Sequence, residues 1–422
     1  MNIIKKIIQF IYSKKDEGVY RKLTILGIKI NTKPKKLRYN IDVSIIKSPN
    51  YIEKKYKLAI FLRFGIGDYI LFRKFLPYIR EYYKEYNITI IGNNIWQEIL
   101  EYFDMDYIDE FISYGEYKYF SKEFDDFPSI FDNYNPKAFK YLFSNKQYDI
   151  LISPFYGRQI YLDMVISYIN AKEKIASYGS LWHSARYARA RNLGIYTKII
   201  YNNDDNDDIF EIERNKNFFE QLLNTKININ DISVKLDKDF FEKIDFNFNE
   251  KYILFFPFSA GKNRMYKLDY FKKIIEFVHS KSDIISYIVG SKEDKEYANE
   301  IINDSNLEYV KNICGKYKLN ELFYIFNKAK LIITVDSAGY HIAVATNDNV
   351  ICIASGMSYS RYLKYPKELV NGKNINIVLP KELEKDIKNN TAKIDYEYYP
   401  LYDLQSIEPD YICKLIDDKY KL

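Results

Sequence analysis

With 422 residues and 47% hydrophobic content, the chain can bury more than one core, because domains usually run to about 100–200 residues. The expected count is two domains plus appendages. The formal charge of +6, from 63 Lys and Arg against 57 Asp and Glu, does not sit in one run and argues against a nucleic-acid partner. Cys314, Cys352 and Cys413 are too scattered for a disulfide framework or a zinc spacing, so a reducing cytoplasm is the expected compartment.

Residues 1–55 read as an N-terminal appendage. Ile3, Ile4, Ile7, Ile8 and Ile11 recur at helical spacing beside Lys5, Lys6, Lys14 and Lys15. That pattern suits either an interfacial helix on anionic lipid, hence peripheral contact with the inner face of the cytoplasmic membrane, or a helix packed on its own domain. Lysines interrupt the stretch and no small-residue cleavage site follows, which argues against secretion. No apolar run approaches the roughly 20 residues needed to cross a bilayer. VYRKLTILGIKI, 19–30, has strand character, and basic NTKPKK follows it.

From Lys57 apolar runs alternate with helical patterns: KLAIFLRF, a helix from Asp68 to about Tyr86, ITIIG, and a helix over about Ile95 to Phe103. YDILISP at 148–154 and a basic helix reaching Arg191 complete a first domain of 56–205. The acidic break NNDDNDD reads as a solvated linker, its Asp205 and Asp207 having no strand leading to them. The second domain, 206–400, repeats the style with strands at 252–258, 284–290, 331–336 and 350–355 and helices between them. Continuous apolar strands separated by helices predict parallel sheets covered on both faces. A C-terminal helix, 401–422, is expected to cross back onto the first domain.

Three strand-to-helix turns carry candidate chemistry. In RFGIGDYI the glycines at 65 and 67 permit a tight turn and close ligand approach, and Asp68 is either a helix cap or a catalytic group. Ile70 stands where a dinucleotide fingerprint would want its third glycine, which weakens a nicotinamide reading. In FFPFSAGKNRMYKLDYF, Lys262, Arg264 and Lys267 form either a diphosphate site or a solvated basic loop. In TVDSAGYHIAVA the strand ends at Asp336, and Ser337, Ala338 and Gly339 lead into a helix bearing His341, an arrangement suited to phosphate.

These elements resemble, in order and spacing, the family 9 glycosyltransferases, the bacterial heptosyltransferase type. RFGIGD is similar to their opening R-x-S/G-x-x-G-D, YDILIS with GRQ to a Y-D strand and its polar turn, and WHSAR at 182–186 to a W-K-S-A-R element. PFSAGKNRMYKLDYF, VGSKED, ICGKYKLNEL and DSAGYHIAVA extend the likeness over roughly 57–356. Tyr266, Lys267 and Ala338 depart from the usual tryptophan, proline and glycine.

The resemblance implies a GT-B fold, two doubly wound Rossmann-like domains facing a cleft. It also implies inverting transfer of a heptose or other hexose-like sugar from a nucleotide diphosphate, without cofactor or metal, to a glycan or glycolipid such as lipopolysaccharide. Carried over, the base falls on Asp68, a phosphate-binding cation on Arg264 with Lys262 in support, and a nucleoside contact on Glu293. The donor-phosphate turn falls on Asp336, Ser337, Ala338, Gly339 and His341. Gly67, Arg158 and Arg186 are acceptor-side candidates; Arg186, Arg189 and Arg191 equally suit a plain charged helix face. A nucleotide-sugar 2-epimerase and a non-catalytic sugar- or nucleotide-binding subunit are the rival readings.

Overall fold

The computed structural model describes residues 11–17, 20–32, 43–114, 143–180, 186–201, 209–303, 309–392 and 400–420. The expected helix over residues 3–10, the basic run 33–36, residues 182–185 of the WHSAR element and the Asp205–Asp207 pair lie outside them.

Three antiparallel strands come first: β1 (Tyr12–Glu17), β2 (Tyr20–Ile25) and β3 (Ile28–Thr32). Lys14 and Lys15, read from sequence as flanking a helix, therefore lie on a strand. A seven-stranded sheet follows, built from β4 (Val43–Lys47), β5 (Tyr56–Leu62), β6 (Tyr86–Asn93), β7 (Glu110–Tyr114), β8 (Gln147–Ser153), β9 (Asn170–Ser177) and β10 (Lys198–Ile200). Its order is β10-β9-β8-β5-β6-β7-β4. The β5, β6, β7, β8 and β9 pairings are parallel, while β4 runs antiparallel to β7 at the edge. Part of the presumed appendage thus belongs to this sheet. Its signal was weak because only two of its residues are shielded, and then only partly, as befits an edge.

The second sheet comprises β11 (Tyr252–Phe256), β12 (Ile285–Ile288), β13 (Val310–Asn312), β14 (Leu331–Val335), β15 (Asn349–Ile353) and β16 (Asn374–Val378). It is parallel throughout, in the order β13-β12-β11-β14-β15-β16. β14 is buried along its whole length, which is why its text is uniformly apolar rather than alternating.

The described helices, in chain order, are α1 (Ile66–Phe72), α2 (Leu76–Tyr82), α3 (Gln97–Phe103), α4 (Ile160–Tyr168), α5 (Arg186–Asn192) and α6 (Glu211–Leu223). They continue with α7 (Leu268–Lys281), α8 (Lys295–Asn303), α9 (Leu319–Lys328), α10 (Ala338–Thr346), α11 (Lys381–Lys388) and α12 (Pro409–Tyr420).

Two compact units result: residues 1–62, 85–94 and 109–199, and residues 63–84, 95–108 and 200–422. The second unit therefore takes in α1, α2 and α3, which the sequence had assigned to the first domain. Aromatic packing explains this. Phe72 and Phe75 meet Phe219 of α6 at ring separations of 5.9 and 5.3 Å, and Phe103 meets Phe323 of α9 at 5.2 Å.

The C-terminal helix also departs from expectation. Ile412, Cys413, Ile416 and Tyr420 of α12 join one buried cluster with Ile253, Phe271, Ile274 and Ile275, so α12 packs on α7 in the second unit. Tyr266, one of the residues that departs from the family pattern, is buried and donates its hydroxyl to the carbonyl of Ile407. The backbone N–H of its neighbour Lys267 donates to Gln405 Oε1 at 2.9 Å. Ile412→Ala is expected to cost about 2–5 kcal/mol, the range for truncating a buried aliphatic residue. Urea unfolding checks this, and a midpoint equal to that of the wild type would place α12 outside the core.

Candidate functional site

In the second sheet β11 pairs with both β12 and β14, whereas the chain leaves β14 toward β15 on the far side. Successive connections diverge at this point, and the carboxyl ends of β11 and β14 border the crevice where parallel sheets bind ligands. A cavity of about 590 Å³ lies there. Phe258, Ser259, Ala260 and Arg264 line it after β11, Ser291 and Asp294 after β12, and Asp336, Ser337, Ala338 and His341 after β14. Met357, Ser358 and Tyr362 follow β15, and Gly65, Ile66, Gly67 and Asp68 contribute the start of α1.

Ser337 caps α10, its Oγ accepting the Gly339 N–H at 3.3 Å. That amide is therefore engaged. Gly339 lies outside the lining, and a Cβ on it would come 2.5 Å from the Phe256 ring, so its glycine serves close packing of α10 on β11. Burial pushes the Asp336 carboxyl up to about 6, with Arg264 acting in the opposite direction. Arg264 Nη1 stands 3.7 Å from Asp336 Oδ1, while its Nε is buried with no hydrogen-bond partner. A guanidinium left with an unanswered donor at a cavity wall favours an incoming anion.

Two expected donor contacts stand elsewhere. Lys262 is exposed and outside the lining. Glu293 is also exposed, and the adjacent Asp294 occupies the wall, its Oδ2 accepting the Ser291 N–H and hydroxyl at 2.8 Å each. The turn was legible, but which of two neighbouring acids faces inward depends on where the turn tightens into α8.

His341 sits in the first turn of α10, its Nδ1 sharing a 2.7 Å hydrogen bond with the Tyr365 hydroxyl. Burial, with a smaller push from Arg264, pulls its pKa down to about 3, so the ring is neutral at pH 7. Gly67 lies against this ring: a Cβ there would come 2.3 Å from His341 Cδ2.

Asp68 is the third residue of α1, which Gly65 caps, so it is not the N-cap residue itself. Its Oδ2 accepts the Gly65 N–H at 3.1 Å, and its Oδ1 accepts the Tyr362 hydroxyl at 2.8 Å. Burial raises its pKa and Glu211 adds to the rise, while Arg361, Tyr362 and Gly65 oppose it. Arg361 lies over the Tyr362 ring, 4.7 Å from its centroid, and pairs with Glu211 at 2.6 Å. Sequence reasoning missed Tyr362, Arg361, Tyr365 and Glu211. The available signal was the aromatic-rich stretch YSRYLKY directly after a buried parallel strand.

Arg158, read as acceptor-side, is fully buried in the first unit. Its Nε binds Asp163 at 2.6 Å, its Nη1 donates to the Ser177 carbonyl at 3.1 Å, and it lies over the Tyr196 ring at 4.4 Å. It is a structural ion-pair residue because no face of it reaches solvent. Arg189 is buried too, donating to the carbonyls of Arg158 and Ser180, whereas Arg186 and Arg191 are exposed.

The parallel α/β units, with this cavity where the strand order reverses, have the architecture of the GT-B fold. Residues 174–382 match glycosyltransferase family 9 (heptosyltransferase), the family that this chain resembles. Among solved structures it is similar to a family 9 glycosyl transferase from Veillonella parvula, at TM-score 0.58 and 16% identity over 87% of this chain and 98% of that one. The E. coli heptosyltransferase WaaC with ADP gives 0.57 and 14%, over 86% and 99%. The E. coli ADP-heptose lps heptosyltransferase II gives 0.55 and 14%, over 86% and 98%. No curated protein matches the chain.

The neutral histidine has a consequence for stability. An exposed imidazole titrates near 6.5, so the stability gained by keeping His341 uncharged is complete above about pH 6.5 and is lost as pH falls toward about 3. Imidazole nitrogen chemical shifts at pH 5.5 should report a neutral His341; a protonated ring there would contradict the burial.

Proposed function

We propose that the cavity holds the diphosphate of a nucleotide sugar and that the sugar passes, with inversion, to a hydroxyl of a glycan or glycolipid acceptor. The observation that carries this is the convergence, on one cavity, of the Asp68 carboxylate, the unpartnered Arg264 Nε and the start of α10. Asp68 takes the proton of the acceptor hydroxyl as that oxygen attacks the anomeric carbon. The bond from that carbon to the diphosphate oxygen breaks, and its electron pair leaves on the diphosphate. Arg264, the α10 dipole and the neutral His341 ring meet the developing charge, as fixed donors can without reorganising. A divalent metal is not required in this scheme, because Arg264 and the start of α10 supply the compensating charge. A heptose or hexose-like sugar, a lipopolysaccharide-type acceptor and a cytoplasmic setting fit the resemblance to the heptosyltransferases.

The raised Asp68 pKa suits a base, since proton transfer is most efficient when the catalytic pKa lies nearer the working pH. The Tyr362 hydroxyl holds one carboxylate oxygen in place while leaving it further acceptor capacity.

Two measurements test the reading. ADP or UDP should raise the melting temperature in the presence of EDTA, and Arg264→Ala should reduce that stabilisation by weakening nucleotide binding about 10-fold or more, the scale of a lost charge-assisted hydrogen bond. Stabilisation abolished by EDTA would reject the metal-free site. Asp68→Asn should keep nucleotide affinity while transfer falls at least about 10²-fold. Turnover within a few-fold of wild type would reject Asp68 as base, and a donor sugar altered while still on its nucleotide would favour epimerisation.

A further inference from the structure

We propose that the three-stranded sheet β1–β3 is a membrane-docking module whose apolar face and hairpin tip enter the interfacial layer of an anionic bilayer. The register places Tyr12, Ile25 and Ile28 in one cross-strand row and Leu23 and Ile30, with position 14, a lysine, in the next row of the same face. Positions 15 and 22, both lysine, pair with each other in a row of the opposite face, which also carries Lys29. Apolar residues therefore cluster at the turn end of one face, and lysine positions fall on both.

The apolar side is open to solvent. Ile25 is 41% exposed, Leu26 65%, Ile28 66% and Ile30 42%, and Ile11 and Tyr12 beside them are about half exposed. The tip residues Leu26 and Gly27 both adopt positive φ, 48° and 81°, in the two-residue turn that joins β2 to β3. Such a turn prefers asparagine, aspartate or glycine at both positions, and a leucine there is conformationally disfavoured. Leu26 is thus a residue that the local backbone opposes and that no core shelters. A local rule broken without a folding gain points to an external contact.

Charge selects the occupant. Although the basic residues form no single run, the first 40 residues hold eleven Lys and Arg against two acidic residues, so the positive excess is concentrated here rather than spread along the chain as expected, and the rest is slightly acidic. A basic segment that carries an exposed apolar surface matches anionic lipid headgroups over an acyl layer. A second copy of the chain is disfavoured on area: three short strands present a face on the order of 300 Å², against about 800 Å² per partner in a stable interface. A nucleic acid would engage the basic residues and leave the apolar side chains wet.

Flotation of the full chain with vesicles tests this, using phosphatidylcholine and phosphatidylglycerol in about equal parts against phosphatidylcholine alone. The protein should float with the mixed vesicles, less so as salt rises, and not with the neutral ones. Leu26→Asn combined with Ile28→Thr puts a turn-favoured residue at the tip and keeps a β-branched residue in the strand, so folding is preserved. Bound protein should fall at least about 10-fold, the scale of removing two apolar side chains from a lipid contact, with the nucleotide-induced melting shift unchanged. Equal binding to neutral vesicles, or wild-type flotation by the double variant, would overturn the proposal. So would retention on duplex DNA without flotation, or a dimer that the substitutions dissolve.

Discussion

The pairing of β11 with β14 is the constraint on which the site depends. Register matches Ile253 with Leu331 through Phe256 with Thr334, so the loops leaving the two strands emerge side by side. One brings Arg264 and the other Asp336 and Ser337, residues more than seventy positions apart in sequence. Because β12 and β15 lie on opposite sides of this pair, neither onward connection fills the space between the loops. The absence of a side chain at Gly339 lets α10 lie close on Phe256 and sets its first turn against the cavity.

Electrostatics then distinguishes groups that work from groups that hold. Arg158 and Arg264 have the same side chain and each has one unanswered donor, but Arg158 is enclosed, committed to Asp163 at 2.6 Å and outside the cavity lining, whereas Arg264 stands 3.7 Å from its carboxylate on the cavity wall. Breaking an enclosed pair leaves an uncompensated buried charge, a loss of about 3–5 kcal/mol, so Arg158 belongs to the scaffold. Arg264 keeps donor capacity for an anion. Asp68 lies between these extremes: burial and Glu211 favour its protonated form, while Arg361, the Tyr362 hydroxyl and the Gly65 amide favour the charged one. Glu211 and Arg361 form their own buried ion pair beside Tyr362, whose hydroxyl orients the Asp68 carboxylate.

The N-terminal sheet obeys a different logic. The parallel strands are continuous apolar runs that are buried, but β1–β3 form a single layer that leaves the apolar side chains at its turn end wet. A layer of this kind gains little from its own packing, since three strands need a covered face for independent stability. An external surface that covers it supplies the missing half.

Fold class, the alternation of strands and helices and the three glycine-containing or basic turns were legible in the sequence because each has a local cause. Buried parallel strands require uninterrupted apolar runs such as LIITV, and strand-to-helix turns that pack closely on their neighbours hold small residues such as those at 67 and 339. Local reasoning failed where the cause was distant. Arg158 and Arg264 read alike as strings, Glu293 and Asp294 differ by one position, and Tyr362 reaches Asp68 across nearly three hundred residues. Units built by aromatic packing also escaped a linear reading, since Phe72 and Phe75 lie far in sequence from Phe219. The sequence by itself determined which elements form and which turns hold small or charged residues, because propensity and periodicity act over a few neighbours. Tertiary structure alone decided which of those charges are enclosed and which face the cavity, because burial and partner distance depend on segments that meet only in the folded chain.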